Sequence, residues 1–168
     1  LRNPEGAVKQ HLRNTASRKG EADTFCAQTM RAAGEWLGEN ADRDFFLFVH
    51  YWDPHGPWTQ PETWNQPFRN MDLPRKQNAA GEDHIIGAGP ASAIDEQARE
   101  SIDLYDGAIS FVDAAVGEAL ALLEELGIAE ETAVIVTSDH GRTDYGRPES
   151  WRARGVHQGE MHVPLMMR

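Results

Sequence analysis

The residues best equipped for chemistry fall in two short stretches. The first is Asp139-His140-Gly141, at the end of the run Ala133-Val134-Ile135-Val136-Thr137-Ser138. A carboxylate beside an imidazole offers one hard oxygen and one borderline nitrogen, a donor set that suits a divalent cation. The same pair can do less, with Asp139 capping a turn and His140 bonding nearby backbone, and an arbitrary Asp-His pair more often does that. The second stretch is His50-Tyr51-Trp52-Asp53-Pro54-His55-Gly56-Pro57-Trp58. Its two prolines fix the backbone and exclude a regular helix, so His55 rides on a stiff segment that suits a catalytic or binding side chain. A loop whose aromatics merely cover a sheet edge would have the same composition.

The elements that must position these residues can be read from periodicity. A short apolar, mostly β-branched run bounded by polar residues fits a strand buried on both faces, as in a parallel sheet. Residues 133–138 have this character, and so does Phe45-Phe46-Leu47-Phe48-Val49. Between them Ile94, Ala98, Ile102, Tyr105, Ile109, Val112, Val116, Leu120 and Leu123 step by three or four residues. That spacing predicts a helix over roughly 94–126, stopped by Gly127, with Asp106 and Asp113 in solvated or capping roles. Strand, crossover helix and strand make a βαβ unit, which is almost always right-handed with its strands parallel. Parallel strands put their carboxyl ends on one edge, where open α/β sheets bind ligands. His50, Asp53 and His55 are therefore expected to face the same cleft as Asp139 and His140.

The remaining segments frame this unit. Residues 1–22 read as a polar lead-in. From 23 to 40, Phe25, Met30, Ala33, Trp36 and Leu37 recur at nearly helical spacing after a possible N-cap at Asp23 or Thr24, which predicts an amphipathic helix packed on the sheet. Residues 59–92, rich in proline and glycine, read as a long excursion that lines a cleft or lacks order, with 75–88 expected to be mobile. His162-Val163-Pro164-Leu165-Met166-Met167 predicts a third short strand.

Composition narrows the partners. The formal net charge of -11 disfavours a nucleic-acid backbone, and Arg147, Arg152 and Arg154 are the nearest thing to a basic patch. Cys26 is the only cysteine, so no internal disulfide can form, and its place in a predicted helix reads as a small buried hydrophobe. No apolar run approaches the roughly 18 residues needed to span a bilayer. A single domain is expected for 168 residues.

With these residues in view the sequence resembles the sulfatase family of the alkaline-phosphatase superfamily. Three blocks carry the resemblance in order: Phe45 to Trp58, Val134 to Gly141 with its Ser138-Asp139-His140-Gly141, and His162-Val163-Pro164-Leu165. They span about residues 23–168. The resemblance implies an α/β fold, a mostly parallel sheet flanked by helices, of which these residues form the middle to later part of a catalytic domain. It also implies metal-dependent hydrolysis of sulfate esters carried by small molecules or glycans. On the family pattern His55 contacts the sulfate or the leaving-group oxygen. Asp139 binds the divalent ion, calcium ahead of manganese or zinc, and His140 either binds the ion or touches the nucleophile. A basic residue before the Val-Pro-Leu strand holds the sulfate, a role open to Arg154 or His157, although the family's usual lysine is missing there.

One departure matters. Sulfatases use a formylglycine made from the Cys or Ser of a Cys-x-Pro-x-Arg motif, with two more metal-binding aspartates in an earlier strand, and Cys26 has neither Pro nor Arg after it. The nucleophile is thus expected outside this chain, and the chain alone is expected to be inactive. Two alternatives stay open: a phosphonate monoester or phosphodiester hydrolase of the same superfamily, or a non-catalytic binding homologue.

Overall fold

The computed structural model describes residues 24–69, 71–72, 75–77, 81, 83–85, 89–90, 96–142 and 158–168. In chain order the elements are α1 (Phe25–Asn40), α2 (Glu62–Asn65), β1 (Arg75–Gln77), β2 (Asp83–Ile85), β3 (Gly89–Pro90), α3 (Glu96–Leu126), a 3-10 turn (Ala129–Glu131), β4 (Ile135–Thr137), α4 (Gln158–Met161) and β5 (Leu165–Met167). They divide into two units: one comprises residues up to Pro67 together with Leu104–Thr132, the other Phe68–Asp103 with Ala133–Arg168.

The first unit is helical. Thr24, in extended conformation, caps α1 by accepting the Ala27 N–H on its side-chain oxygen at 3.2 Å. Cys26, Met30, Ala33, Gly34 and Leu37 then fall on the buried face. The expected helix is present, but its face is turned slightly: Phe25 is 55% exposed and Cys26, at 1%, takes the core position. Helix α3 likewise matches its expected span. Its buried apolar residues are Ile102, Ala108, Phe111, Ala115, Leu122, Leu123 and Leu126; Ile102 and Leu123 belong to the predicted stripe, whereas Ile109, also part of it, is 45% exposed. Cys26, Phe111 and Ala115 form a cluster to which Tyr51, Trp64 and Val112 add partly buried surface. The predicted stop is a Schellman motif. Gly127 adopts φ 68°, its N–H bonds Glu124 O at 2.9 Å, and Ile128 N–H bonds Leu123 O at 3.0 Å.

Helices α2 and α3 approach closely at Gly107, where an added Cβ would lie 2.3 Å from Asn65 Oδ1 and 3.0 Å from Trp64 O. Asn65 is buried there and accepts from Gln60 Nε2 at 2.8 Å, and Gln60 Nε2 also donates to Leu104 O at 2.7 Å. This network fixes the chain that leaves the His55 loop.

The second unit holds two small sheets. Strands β1, β2 and β3 form an antiparallel meander in which Lys76 faces His84 and His84 faces Pro90. Within the segment 75–88, residues 75–77 and 83–85 are paired as strands; strands of two or three residues are too short to show an alternating pattern. Strand β4 pairs antiparallel with β5 in the register Ile135↔Met167, Val136↔Met166, Thr137↔Leu165, and Val134 and Arg168 exchange two further backbone bonds. The expected third strand is thus present as the partner of β4.

The expected parallel pairing of 45–49 with 133–138 is not seen among the described residues. Residues 45–49 carry no strand assignment, and their exposure alternates residue by residue, with Phe46 at 88% and Phe48 at 77%. Such alternation is the period of extended backbone with no sheet neighbour covering its outer side chains.

Candidate active-site residues

His55 belongs to the first unit, on a loop anchored by the side chains before it. Tyr51 packs on the Cys26 cluster and its hydroxyl points to Met30 Sδ at 3.4 Å. Burial, reinforced by the negative potential of Cys26 and Glu118, pushes the Tyr51 hydroxyl pKa well above its usual value, so the phenol stays protonated. Asp53 is buried at 5% exposure. Beyond it the chain reverses with His55 N–H bonding Trp52 O at 3.0 Å, and Trp58 Nε1 closes the loop on Pro54 O at 3.1 Å.

This turn presents the imidazole outward. The His55 ring lies 4.7 Å from the Trp52 ring, and its Nδ1 is 2.6 Å from Gly56 O. A carbonyl oxygen can only accept, so Nδ1 carries the proton and Nε2 is the nitrogen left for a ligand or a proton transfer.

Asp139 and His140 belong to the second unit and follow β4. Asp139 Oδ1 accepts the His140 N–H at 2.9 Å, and His140 Nδ1 donates to Gly141 O at 2.8 Å. The Gly141 N–H in turn bonds Glu160 O at 2.7 Å, tying the turn to α4. These bonds leave Asp139 Oδ2 and His140 Nε2 3.7 Å apart, on side chains 79% and 65% exposed. One carboxylate oxygen and one imidazole nitrogen, both outward, fit two positions of a divalent cation's ligand set. The turn-capping alternative is the one the structure displays, through Oδ1, and it leaves Oδ2 outward. Among the described residues no group of three or more His, Cys, Asp or Glu side chains stands together to complete such a set. Arg154 and His157 lie outside the described residues.

Asp53 was expected to face a cleft with His50 and His55; instead it is buried, at 5% exposure, beside an exposed histidine. The available signal is its place between Trp52 and Pro54, where backbone restriction on one side and a large aromatic on the other leave little room for a solvated carboxylate.

Comparison with known proteins agrees with the blocks that carry these residues. The chain is 31% identical over 148 residues to the multifunctional alkaline phosphatase superfamily protein PehA of Trinickia caryophylli, covering 75% of this chain and 29% of that protein. It is 27% identical over 145 residues to human iduronate 2-sulfatase, covering 73% and 26%. It is 25% identical over 126 residues to the endo-4-O-sulfatase of Bacteroides thetaiotaomicron, covering 75% and 24%. The chain thus spans about a quarter of the length of these relatives. The Sulfatase family model matches residues 6–168, and the chain belongs to the sulfatase family, whose fold is the alkaline-phosphatase-like α/β fold.

Proposed function

We propose that the complete protein hydrolyses sulfate esters of small molecules or glycans, and that this chain supplies the leaving-group and part of the metal-binding machinery. The observation that carries the reading is the Asp139–His140 pair, with Oδ2 and Nε2 outward and 3.7 Å apart inside a stretch matched by the Sulfatase family model. A divalent cation, calcium first, would supply Lewis-acid stabilisation of charge on the sulfate when bound by Asp139 and His140. His55, as imidazolium, donates its Nε2 proton to the alcohol oxygen as the oxygen–sulfur bond breaks. Arg154 or His157 would balance charge on the sulfate oxygens. The formylglycine nucleophile and the remaining metal ligands would come from sequence beyond these residues, as would strands that complete a parallel sheet beside 45–49.

The 31% identity to a multifunctional alkaline phosphatase superfamily protein supports a second reading, hydrolysis of a phosphonate monoester or phosphodiester by the same residues. One experiment separates them. The complete protein is assayed on an aryl sulfate and an aryl phosphonate monoester, with Asp139→Ala and His55→Ala beside it and calcium binding followed by calorimetry. Sulfate turnover that falls about 100-fold or more in both variants, with calcium binding weakened in Asp139→Ala, supports the reading. Preference for the phosphonate would move the substrate class, and an Asp139→Ala protein with intact turnover and metal binding would overturn the site.

A further inference from the structure

Asp53 stands two residues before His55, yet Asp53 is 5% exposed while His55 is exposed. Its carboxylate accepts from its own backbone N–H and from that of Cys26, the second residue of α1. The other oxygen, Oδ2, has no hydrogen-bond partner. The first turn of α1 is therefore capped twice, by Thr24 from within the sequence and by Asp53 from the loop. A helix that already has a good N-cap gains little from a second acceptor. Burying a carboxylate with one orphaned oxygen carries a desolvation cost that a redundant cap is poorly placed to offset. Helix stability alone does not explain Asp53.

The loop's geometry does. The bonds between Trp52 and His55, between Pro54 and Trp58, and between His55 and Gly56 shape the loop internally but do not tie it to a helix. The Tyr51 hydroxyl reaches α1 through a weak acceptor, the Met30 sulfur. The Asp53 bond to Cys26 joins the start of α1 to the residues that carry His55.

We infer that Asp53 is a positioning residue for His55: bonded to the Cys26 N–H at the start of α1, its buried carboxylate holds the Pro54–Pro57 segment in place and sets where His55 Nε2 points. This inference rests on the reading of His55 as the group that protonates the leaving alcohol. Asn can still accept the Cys26 N–H through its amide oxygen, Ala cannot, and Glu keeps the acceptor but lengthens the arm. Thr24→Ala removes the other cap of the same helix without touching the loop.

The test uses the complete protein with Asp53→Asn, Asp53→Ala, Asp53→Glu and Thr24→Ala, assayed on an alkyl sulfate and on a nitrophenyl sulfate, whose leaving group needs no proton. Misplacing a reacting group by about 1 Å can cost on the order of 100-fold. Asp53→Ala and Asp53→Glu should therefore lower kcat on the alkyl ester by about 10- to 100-fold, with KM and nitrophenyl turnover changing only a few-fold. Asp53→Asn should restore most of kcat, and Thr24→Ala should lose stability but keep kcat. The His55 imidazole nitrogen shifts, read by NMR, should move in Asp53→Ala and Asp53→Glu but not in Thr24→Ala. If Asp53→Ala fails to fold, Asp53→Glu decides the matter. Unmoved His55 shifts in the folded Asp53 variants, or equal losses of kcat in Asp53→Ala and Thr24→Ala, would overturn the inference. A wild-type protein inactive on both esters would instead overturn the sulfatase reading, and the His55 shifts would still decide whether Asp53 positions that ring.

Discussion

Asp53 can be examined without any substrate, through the pH dependence of stability. Burial raises its carboxyl pKa above the ordinary value of 3.8, and the N–H groups of Asp53 and Cys26 only partly oppose that shift. Below 3.8 the group is protonated in both folded and unfolded chains and contributes no slope. As pH rises from there to the folded-state value, the folded chain holds more protons than the unfolded one, so ionisation removes stability. Asn cannot ionise. The melting temperature of Asp53→Asn minus that of wild type should therefore increase as pH rises from about 3.8 and level off above the raised pKa, in thermal melts at matched ionic strength. A flat difference would mean that Asp53 is solvated. None of this was legible from residue type: the sequence marks Asp53 as polar and near a proline, while its burial depends on Cys26 and the start of a helix it does not adjoin in the chain.

The two long helices were the most legible elements, because their apolar positions repeat over many turns and their ends carry Thr24 and Gly127. What periodicity could not fix was rotation about the axis. Phe25 and Ile109 fit the spacing as well as Cys26 and Ala108 do, but small residues win the positions where helices meet. Gly107 is the extreme case. Replacing it with Ala should gain about 1 kcal/mol of helix propensity in an open site. Here the new Cβ would lie 2.3 Å from Asn65 Oδ1 and 3.0 Å from the Trp64 carbonyl, and backbone cannot swing aside as a side chain can. Overpacking of this kind costs about 1–3 kcal/mol. Gly107→Ala should thus lower the denaturant midpoint without changing the slope, and Asn65→Ala in the same background should recover part of the loss. The strands were the least legible. Leu165–Met167 was recovered, but the meander at 75–90 has strands too short to signal themselves, and 45–49 reads as a buried strand although Phe46 and Phe48 are exposed.

At the scale of the whole molecule the exposed apolar residues and a donor set that is incomplete among the described residues lead to the same expectation. Phe46 and Phe48 in the first unit, and Ile135, Leu165 and Met167 in the second, are all more than half exposed on extended or strand segments. Sheet segments with apolar side chains on their open faces gain stability once neighbouring elements cover them. No helix of the described residues is long and apolar enough to cross a membrane. Coverage by further protein is the reading consistent with a chain that spans 24–29% of the relatives described above. The donor atoms support it independently. Calcium takes about six to eight oxygen ligands, whereas Asp139 with His140 supplies at most two oxygens and one nitrogen. Residues 1–168 alone should therefore bind calcium at least about 100-fold more weakly than the complete protein and show no turnover of an aryl sulfate. Calorimetry on both proteins, with far-UV circular dichroism to confirm that α1 and α3 are formed in the shorter one, makes the comparison. Equal calcium affinity would place a full ligand set within these residues, and turnover by the shorter protein would place the nucleophile there as well. Either result would refute the division of the site between this chain and the rest of the protein.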